Sequence, residues 1–292
     1  RGKVLSLYMF FTFFAFTIGN LLLNISSPNS YEPFILISLL FSVALIPILL
    51  TKRKPPTFKK TSSIRIKELL KISPFGSFSM FCTGFIFAAM FAMLSVYAVT
   101  MNLTVFEISI LLVGTTLAGA IFQWPIGYLS DKYDRRVIVI GCCISSFIFG
   151  VLSIMSSGIY FESLVAEEMV RFNYFSSDGN MNKTNLFIFI ILLSGMTLPM
   201  FALNLALVND YIPKEKFVAA GAGLNIIFGL GAMAGPIICS VLMSLLGPNG
   251  FFIHLFIFLL AIIFFGIYRV NKREYEDNPE STFTPLPTSI TP

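Results

Sequence analysis

Long uncharged apolar runs dominate this sequence and constrain its fold more than any other feature. Eight such runs occur, at residues 4–23, 34–50, 75–99, 108–129, 137–155, 186–208, 217–246 and 251–268, and none contains Asp, Glu, Lys or Arg. Each is close to the ~20 residues that an α-helix needs to cross about 30 Å of hydrocarbon. Backbone groups find no water in lipid, so the runs must be helical, whereas barrel strands would be about half as long and would alternate. The sequence therefore predicts an all-α integral membrane protein with eight transmembrane helices.

The composition excludes several other classes of protein. Only 12% of the residues are charged and 56% are hydrophobic, whereas soluble domains carry roughly 25% charged residues. The four cysteines all lie inside apolar runs, where Cys behaves as a small hydrophobe. His254 is the single histidine, so no Ser/His/Asp, Cys/His or metal-ligand cluster can be assembled. We predict no catalytic residues, no bound metal and no cofactor, and hence a protein that is not an enzyme.

The positive charges predict the orientation in the membrane. If the N-terminus is cytoplasmic, all of the 20 Lys and Arg except Arg171 and Lys183 fall in cytoplasmic segments, as the positive-inside rule requires. Both termini are then cytoplasmic. The basic stretch 51–73 could also bind nucleic acid, but orientation already explains it, so we expect the lipid bilayer and no nucleic acid as its partner.

A short charged joint separates two of the apolar runs. It contains Asp131, Lys132, Asp134, Arg135 and Arg136, within the sequence QWPIGYLSDKYDRRVIVI that starts at residue 123. Orientation accounts for the basic residues but not for the two aspartates, because acids contribute little to topology. The joint therefore needs a second explanation.

The segment from Gly127 to Arg136 resembles the signature loop of major facilitator superfamily transporters, Gly-x-Leu-(Ala/Ser)-Asp-(Arg/Lys)-x-Gly-Arg-(Arg/Lys). Every specified position matches except Asp134, which stands where the pattern has Gly and so puts the helix-ending role of that glycine in doubt. With its flanking residues the segment most resembles the YcaD-like bacterial branch. The resemblance implies a helix bundle, secondary transport and a bacterial inner-membrane location.

The position of the loop implies a register within the family. The family has this loop after its second and eighth helices, and here it follows the fourth run; the basic stretch 51–73 resembles the family's central loop. The positions of the signature loop and of the central loop agree if the chain starts at the family's fifth helix. The first residue is Arg1 and not Met. The expected organisation is residues 1–50 as the last two helices of an N-terminal bundle, 51–73 as a cytoplasmic loop, 74–273 as a six-helix bundle and 274–292 as a disordered tail. Helices one to four would be missing or supplied by a partner.

The resemblance also implies a conformational role for the joint. In the family such loops hold the two bundles together on the cytoplasmic side, and here Gly127, Asp131, Lys132, Arg135 and Arg136 occupy the matching positions. A carboxylate can accept hydrogen bonds from the exposed N–H groups of a helix start. We expect Asp131 to face the start of the first helix, near residues 2 and 3. The alternative is that these charges only anchor the turn.

Uncharged polar residues inside the spans are the candidates for substrate contact. An unpaired buried amide costs several kcal/mol, so these side chains must face other helices or a wet cavity. As a set they suit a small neutral or amphipathic solute; the candidates are Asn20, Thr115, Gln123, Asn204 and Asn225.

The function that follows is alternating-access transport, with efflux as the first expectation and coupling to a proton or ion gradient. Nutrient uptake by the same fold is the alternative within the transporter class. A shortened protein that does not transport and acts through partners is the alternative outside it.

Overall fold

The computed structural model describes residues 2–22, 24–25, 30–50, 65–158, 182–213 and 216–270, with backbone only at residues 2–9, 48 and 270. All of its regular structure is helical. The elements are α1 (Gly2–Leu22), α2 (Glu32–Leu49), α3 (Ile66–Ile72), α4 (Pro74–Ala88), a π-helical turn (Ala89–Met93), α5 (Leu94–Thr100), α6 (Val105–Lys132), α7 (Arg135–Ser157), α8 (Lys183–Thr197), α9 (Met200–Asn209), α10 (Phe217–Leu246) and α11 (Gly250–Val270).

The helical membrane class predicted from the apolar runs is confirmed. Within the described ranges, six helices are long and apolar enough to cross a membrane: 74–100, 105–132, 135–157, 183–209, 217–246 and 250–269. Two shorter apolar helices, Phe10–Leu22 and Glu32–Pro47, precede them. The count of eight spans and the cytoplasmic position of both termini stay predictions. Most of the predicted cytoplasmic loop (51–64) and all of 271–292 lie outside the described residues.

The six membrane-length helices pack around one core, with the closest associations between α4 and α10, α7 and α8, α6 and α8, and α7 and α11. Its interior holds fully buried Leu94, Tyr97, Leu193, Phe251 and Phe252. The first helix packs along α6. The second helix instead presents exposed apolar side chains such as Phe34 and Phe41. The four cysteines are free and buried, as the sequence indicated.

Glycines allow α4 and α10 to approach backbone to backbone. A Cβ added at Gly231 would collide with the carbonyl oxygen of Phe81, and one at Gly84 with the carbonyl oxygen of Phe228. At Gly235 an added Cβ would lie 2.9 Å from the carbonyl oxygen of Phe85. Small residues at such spacing let membrane helices pack closely. Gly231 and Gly235 therefore serve the close packing of α10 against α4.

Two membrane-length helices are interrupted in ways that the apolar pattern does not reveal. The span 74–100 contains the π-helical turn at Ala89–Met93, and the span 183–209 breaks at Leu198 and Pro199. Pro199 lacks an N–H and cannot continue the helical hydrogen-bond ladder. Leu198 still donates to the Ser194 carbonyl at 2.9 Å, and Leu203 donates to the Pro199 carbonyl at 3.1 Å. The helical hydrogen-bond ladder is therefore interrupted at Pro199 while the neighbouring backbone groups stay paired.

Candidate functional site

The first helix meets the six-helix core along a seam of small polar and apolar side chains. The hydroxyl oxygens of Thr17 and Thr116 lie 3.0 Å apart. Ser109 donates to the carbonyl of Asn20 at 2.8 Å and accepts from the Asn24 amide at 2.8 Å. These contacts run antiparallel along α1 and α6. Hydrogen bonds between helices of this kind are typical of membrane bundles.

A cavity of about 270 Å³ lies beside this seam. Its walls come from α1, the π-helical turn of the 74–100 span, α6 and α8–α9. No charged side chain is among its lining residues, which are Phe16, Asn20, Met90, Phe91, Leu112, Thr115, Thr116, Ser194 and Leu198. The rings of Phe16 and Phe91, both in its wall, are in contact, with centroids 5.3 Å apart and their planes tilted by 43°. Mostly apolar walls with a few polar groups are the usual make-up of a small-molecule site.

The polar groups of the cavity are biased toward accepting hydrogen bonds. Thr115 and Thr116 donate to the Leu112 carbonyl at 2.8 and 2.9 Å. Ser194 donates to the Ile190 carbonyl at 2.8 Å. The protons of Thr115 and Ser194 are thus held by their own helices, which leaves oxygen lone pairs for another donor, whereas Thr116 also shares a hydrogen bond with Thr17. The side-chain amide of Asn20 has no hydrogen-bond partner among the described residues, so it can both donate and accept.

The structure brings together only some of the predicted substrate-contact residues. Asn20 and Thr115 line the cavity, whereas the other three are not among its lining residues. Gln123 is buried and Asn225 is exposed. Asn204 is fully buried and donates from Nδ2 to the Thr83 hydroxyl at 3.0 Å, between α9 and α4. Its hydrogen bond ties two helices of the core together.

The charged joint between α6 and α7 is a tight turn closed by Asp134. The side chain of Asp134 accepts from the Arg136 backbone N–H at 2.8 Å and so caps the start of α7. Asp is among the preferred N-cap residues. Its φ of −55° is ordinary for any L-residue. A glycine is therefore not required here, which explains the departure from the family pattern.

Arg135 lies at the centre of the ion pairs in this joint. Its Nη2 is 3.0 Å from Asp131 Oδ1, and its Nε is 2.9 Å from Asp210 Oδ2 at the end of α9. Arg136 is buried and pairs with Asp134 at 2.8 Å. Lys132 places its ammonium 4.4 Å from the centroid of the Tyr128 ring, a cation–π contact. Of the predicted gating residues, Asp131 and Arg135 thus share an ion-pair cluster with Asp210, whereas Arg136 pairs with Asp134 and Lys132 contacts Tyr128.

Burial raises the pKa of the Asp210 carboxyl above its ordinary value. Loss of hydration disfavours the charged form and outweighs the opposing attraction of Arg135. The nearby carboxylates of Asp131 and Asp134 act in the same direction as burial. Asp210 is consequently the acid of this cluster that accepts a proton more readily than an ordinary Asp.

The expected contact between Asp131 and the start of the first helix falls on side chains outside the described residues. The backbone register of α1 and α6 can nevertheless be followed. Thr17 lies against Thr116, and Phe13 belongs to the same apolar cluster as Ala120. Both contacts belong to one antiparallel arrangement of α1 against α6. A Cβ at Gly127 would meet nothing within 4 Å.

Comparison with known proteins defines the family. The model of the Major Facilitator Superfamily matches residues 1–166 and, in a second overlapping match, residues 102–291. The chain belongs to the major facilitator superfamily. No solved structure gives a significant match.

Named relatives are bacterial proteins called uncharacterized MFS-type transporters. One from Escherichia fergusonii, named YcaD, is 22% identical over 269 residues, which are 90% of this chain and 63% of that protein. One from Yersinia pestis strain Pestoides F gives the same identity and coverage. One from Yersinia enterocolitica is 22% identical over 255 residues, 87% of this chain and 60% of that protein. The similarity to the YcaD-like branch is confirmed, and the chain spans less than two thirds of these relatives' length.

Several site residues were not identified from the sequence. Ser194, Phe16 and Phe91 line the cavity, but serine and phenylalanine occur throughout the spans and carry no distinguishing pattern. Asp210 follows the apolar run 186–208, where a solvated helix end is the ordinary expectation for an acid. It pairs with Arg135 from 75 positions away along the chain, and a pairing over that distance depends on the packing of α7 against α9.

Proposed function

We propose that this protein carries out secondary transport of a small neutral or amphipathic solute, with export as its direction. The observation that supports the substrate class is the uncharged cavity between α1 and the six-helix core. Its aromatic rings suit an apolar body, and its hydroxyl and amide groups suit a few hydrogen bonds. A strongly charged solute would meet no compensating charge there, and burying an unpaired charge is costly.

Alternating access would come from movement of α1 and α2, as the end of one bundle, against the six-helix core formed by residues 74–270. The seam between α1 and α6 is then the surface that opens. In this proposal the charged joint closes the seam at the predicted cytoplasmic end, with Asp131 opposite the start of α1. A proton or ion gradient would drive net movement of the solute across a bacterial inner membrane.

The transport proposal is tested with the protein expressed in a bacterial host sensitised to toxic compounds. We expect lower accumulation of some neutral or amphipathic compounds, and loss of that effect when a protonophore collapses the proton gradient. Thr115→Val with Asn20→Leu should change which compounds are moved, while Asn225→Leu, outside the cavity, should not. Equal accumulation of every compound with and without the protein would refute export, and faster entry of a nutrient would favour uptake.

Movement at the seam is tested separately by cross-linking. The hydroxyls of Thr17 and Thr116 are 3.0 Å apart, so Thr17→Cys with Thr116→Cys places two thiols close enough for a disulfide. The four native cysteines are buried and give little background. Oxidation should stop transport and reduction should restore it, with Thr17→Cys alone as the control. Transport that continues through a complete cross-link would exclude opening at this seam.

A further inference from the structure

A narrow crevice with basic walls lies at the ends of four helices, away from the cavity described above. It is formed by the start of α4, the start of α7, the end of α9 and the end of α11. Its lining residues are Ser73, Pro74, Phe75, Arg136, Leu207, Tyr211 and Arg269. Its volume of about 20 Å³ admits one or two water-sized atoms, since one buried water needs roughly 10–15 Å³ on the same measure.

The charges around the crevice favour an anion. Two arginines from different helices, Arg136 and Arg269, converge on it. The Arg136 side chain is 8% exposed, and its pairing with Asp134 at 2.8 Å balances one positive charge. Arg269 has no ion pair within the described ranges, and no carboxylate is among the lining residues. Among the residues that the structure describes, the positive charge of Arg269 at the crevice is therefore not balanced by a carboxylate.

The uncharged groups of the crevice add hydrogen-bond donors. Ser73 is 4% exposed, and its hydroxyl has no hydrogen-bond partner among the described residues. Tyr211 contributes a second hydroxyl. Ser73 also precedes α4, a helix of 15 residues, and the first N–H groups of a helix have no partner within it. The helix dipole there favours negative charge.

The positive-inside rule does not explain this arrangement. That rule needs basic residues on one side of the membrane, and exposed ones satisfy it. It requires neither a buried Arg136 nor an unpartnered, buried Ser73 hydroxyl beside it. Two guanidinium groups, two hydroxyls and a helix start suit the oxygens of a phosphate, because arginine binds phosphate with directed N–H groups.

We propose that this crevice binds a phosphate group, with one or two of its oxygens between Arg136, Arg269 and Ser73. The rest of the ligand stands outside, because the crevice is too small to enclose it. The group can belong to the head of an anionic phospholipid or to free phosphate. The proposal does not depend on the transported solute.

The test measures binding to the purified full chain in a neutral detergent. Thermal unfolding is followed against sodium phosphate, with sodium chloride at the same pH and ionic strength as the reference. Native mass spectrometry is run in parallel with phosphatidylglycerol and with phosphatidylcholine. A ligand of the folded state raises the unfolding temperature with its concentration. Stabilisation by inorganic phosphate identifies a free anion, and retention of phosphatidylglycerol alone identifies a lipid head group.

Variants locate the binding. Arg269→Gln should weaken binding of the effective ligand at least about tenfold, and Ser73→Ala should weaken it a few-fold. Arg65→Gln removes an exposed arginine that does not line the crevice and should leave binding unchanged. Arg136 is left intact because its loss would leave Asp134 unpaired. Unaltered affinity in Arg269→Gln, or no saturable effect of either ligand, would overturn the proposal.

Discussion

Arg135 Nε lies 2.9 Å from Asp210 Oδ2, and the same guanidinium is 3.0 Å from Asp131 Oδ1. One side chain at the start of α7 therefore holds both the end of α6 and the end of α9. The Arg135 side chain is 22% exposed, so its charge is partly withdrawn from water. A partly buried charged side chain depends more strongly on its ion-pair partners than a surface side chain does.

The ion pair between Asp210 and Arg135 predicts a favourable energetic coupling between these two side chains. We expect Asp210→Asn and Arg135→Ala to be coupled by about 1 kcal/mol in a double-mutant cycle of unfolding free energies, the upper end for exposed pairs. The matched control is Lys216 with Glu68, an exposed pair 3.7 Å apart, for which coupling near zero is expected. Equal coupling in the two cycles would show that Arg135 does not depend on Asp210.

The raised pKa of Asp210 predicts a specific pH dependence. The folded state holds this proton more tightly than the unfolded chain, whose carboxyl has the ordinary value of 3.8. The stability contributed by this titration is complete below that value and is lost as the pH rises through the folded pKa. The unfolding free energy of the wild type, relative to Asp210→Asn, should therefore fall as the pH rises above about 4. A relative free energy that rises with pH in this window would contradict the raised pKa.

Replacing a packed glycine of α10 should be far more damaging than replacing an open one. A Cβ at Gly231 collides with the Phe81 carbonyl, whereas one at Gly229 meets nothing within 4 Å. We expect Gly231→Ala to cost about 1–3 kcal/mol through overpacking. Gly229→Ala should be neutral or should stabilise by up to about 1 kcal/mol, since alanine is the better helix former. Unfolding midpoints of both variants in the same detergent test this, and equal midpoints would contradict the close packing.

Restoring the family's glycine at position 134 should weaken this protein. Asp134→Gly removes the cap on α7 and the partner of buried Arg136. As an N-cap, glycine costs only a few tenths of a kcal/mol relative to Asp. Loss of the carboxylate that pairs with this buried arginine adds a larger penalty of about 1–3 kcal/mol.

Asp134→Asn separates the two effects on position 134, because it keeps an N-cap oxygen and removes the charge. If the ion pair dominates, Asp134→Asn should lower the unfolding free energy by nearly as much as Asp134→Gly does. A loss of a few tenths of a kcal/mol in both variants would show that Arg136 finds other partners.

The helical class was predictable because a long apolar run in lipid can adopt few backbone conformations that pair all of its N–H and C=O groups. The predicted run at residues 217–246 coincides with α10. The interruptions at Ala89–Met93 and Leu198–Pro199 were not predictable, since hydropathy does not change there. A π-helical turn alters only which carbonyl each N–H meets, and that choice depends on neighbouring helices.

The candidate site was predictable only in part, for the same physical reason. Polar residues in a span must meet either a cavity or another helix, and the sequence does not distinguish the two. Thr115 turned out to line a cavity and Asn204 to bond Thr83 within the core. Orientation of a residue about its helix axis depends on helix packing, which only the folded structure supplies.

The hydroxyls of Thr17 and Thr116 each have a second acceptor on their own helix. Thr17 donates to the Phe13 carbonyl at 2.9 Å, and Thr116 donates to the Leu112 carbonyl at 2.9 Å. Separating α1 from α6 at this point would leave neither hydroxyl proton without an acceptor. The enthalpy lost on parting is therefore small, and the two helices can part and rejoin repeatedly in a medium that offers no water to compensate.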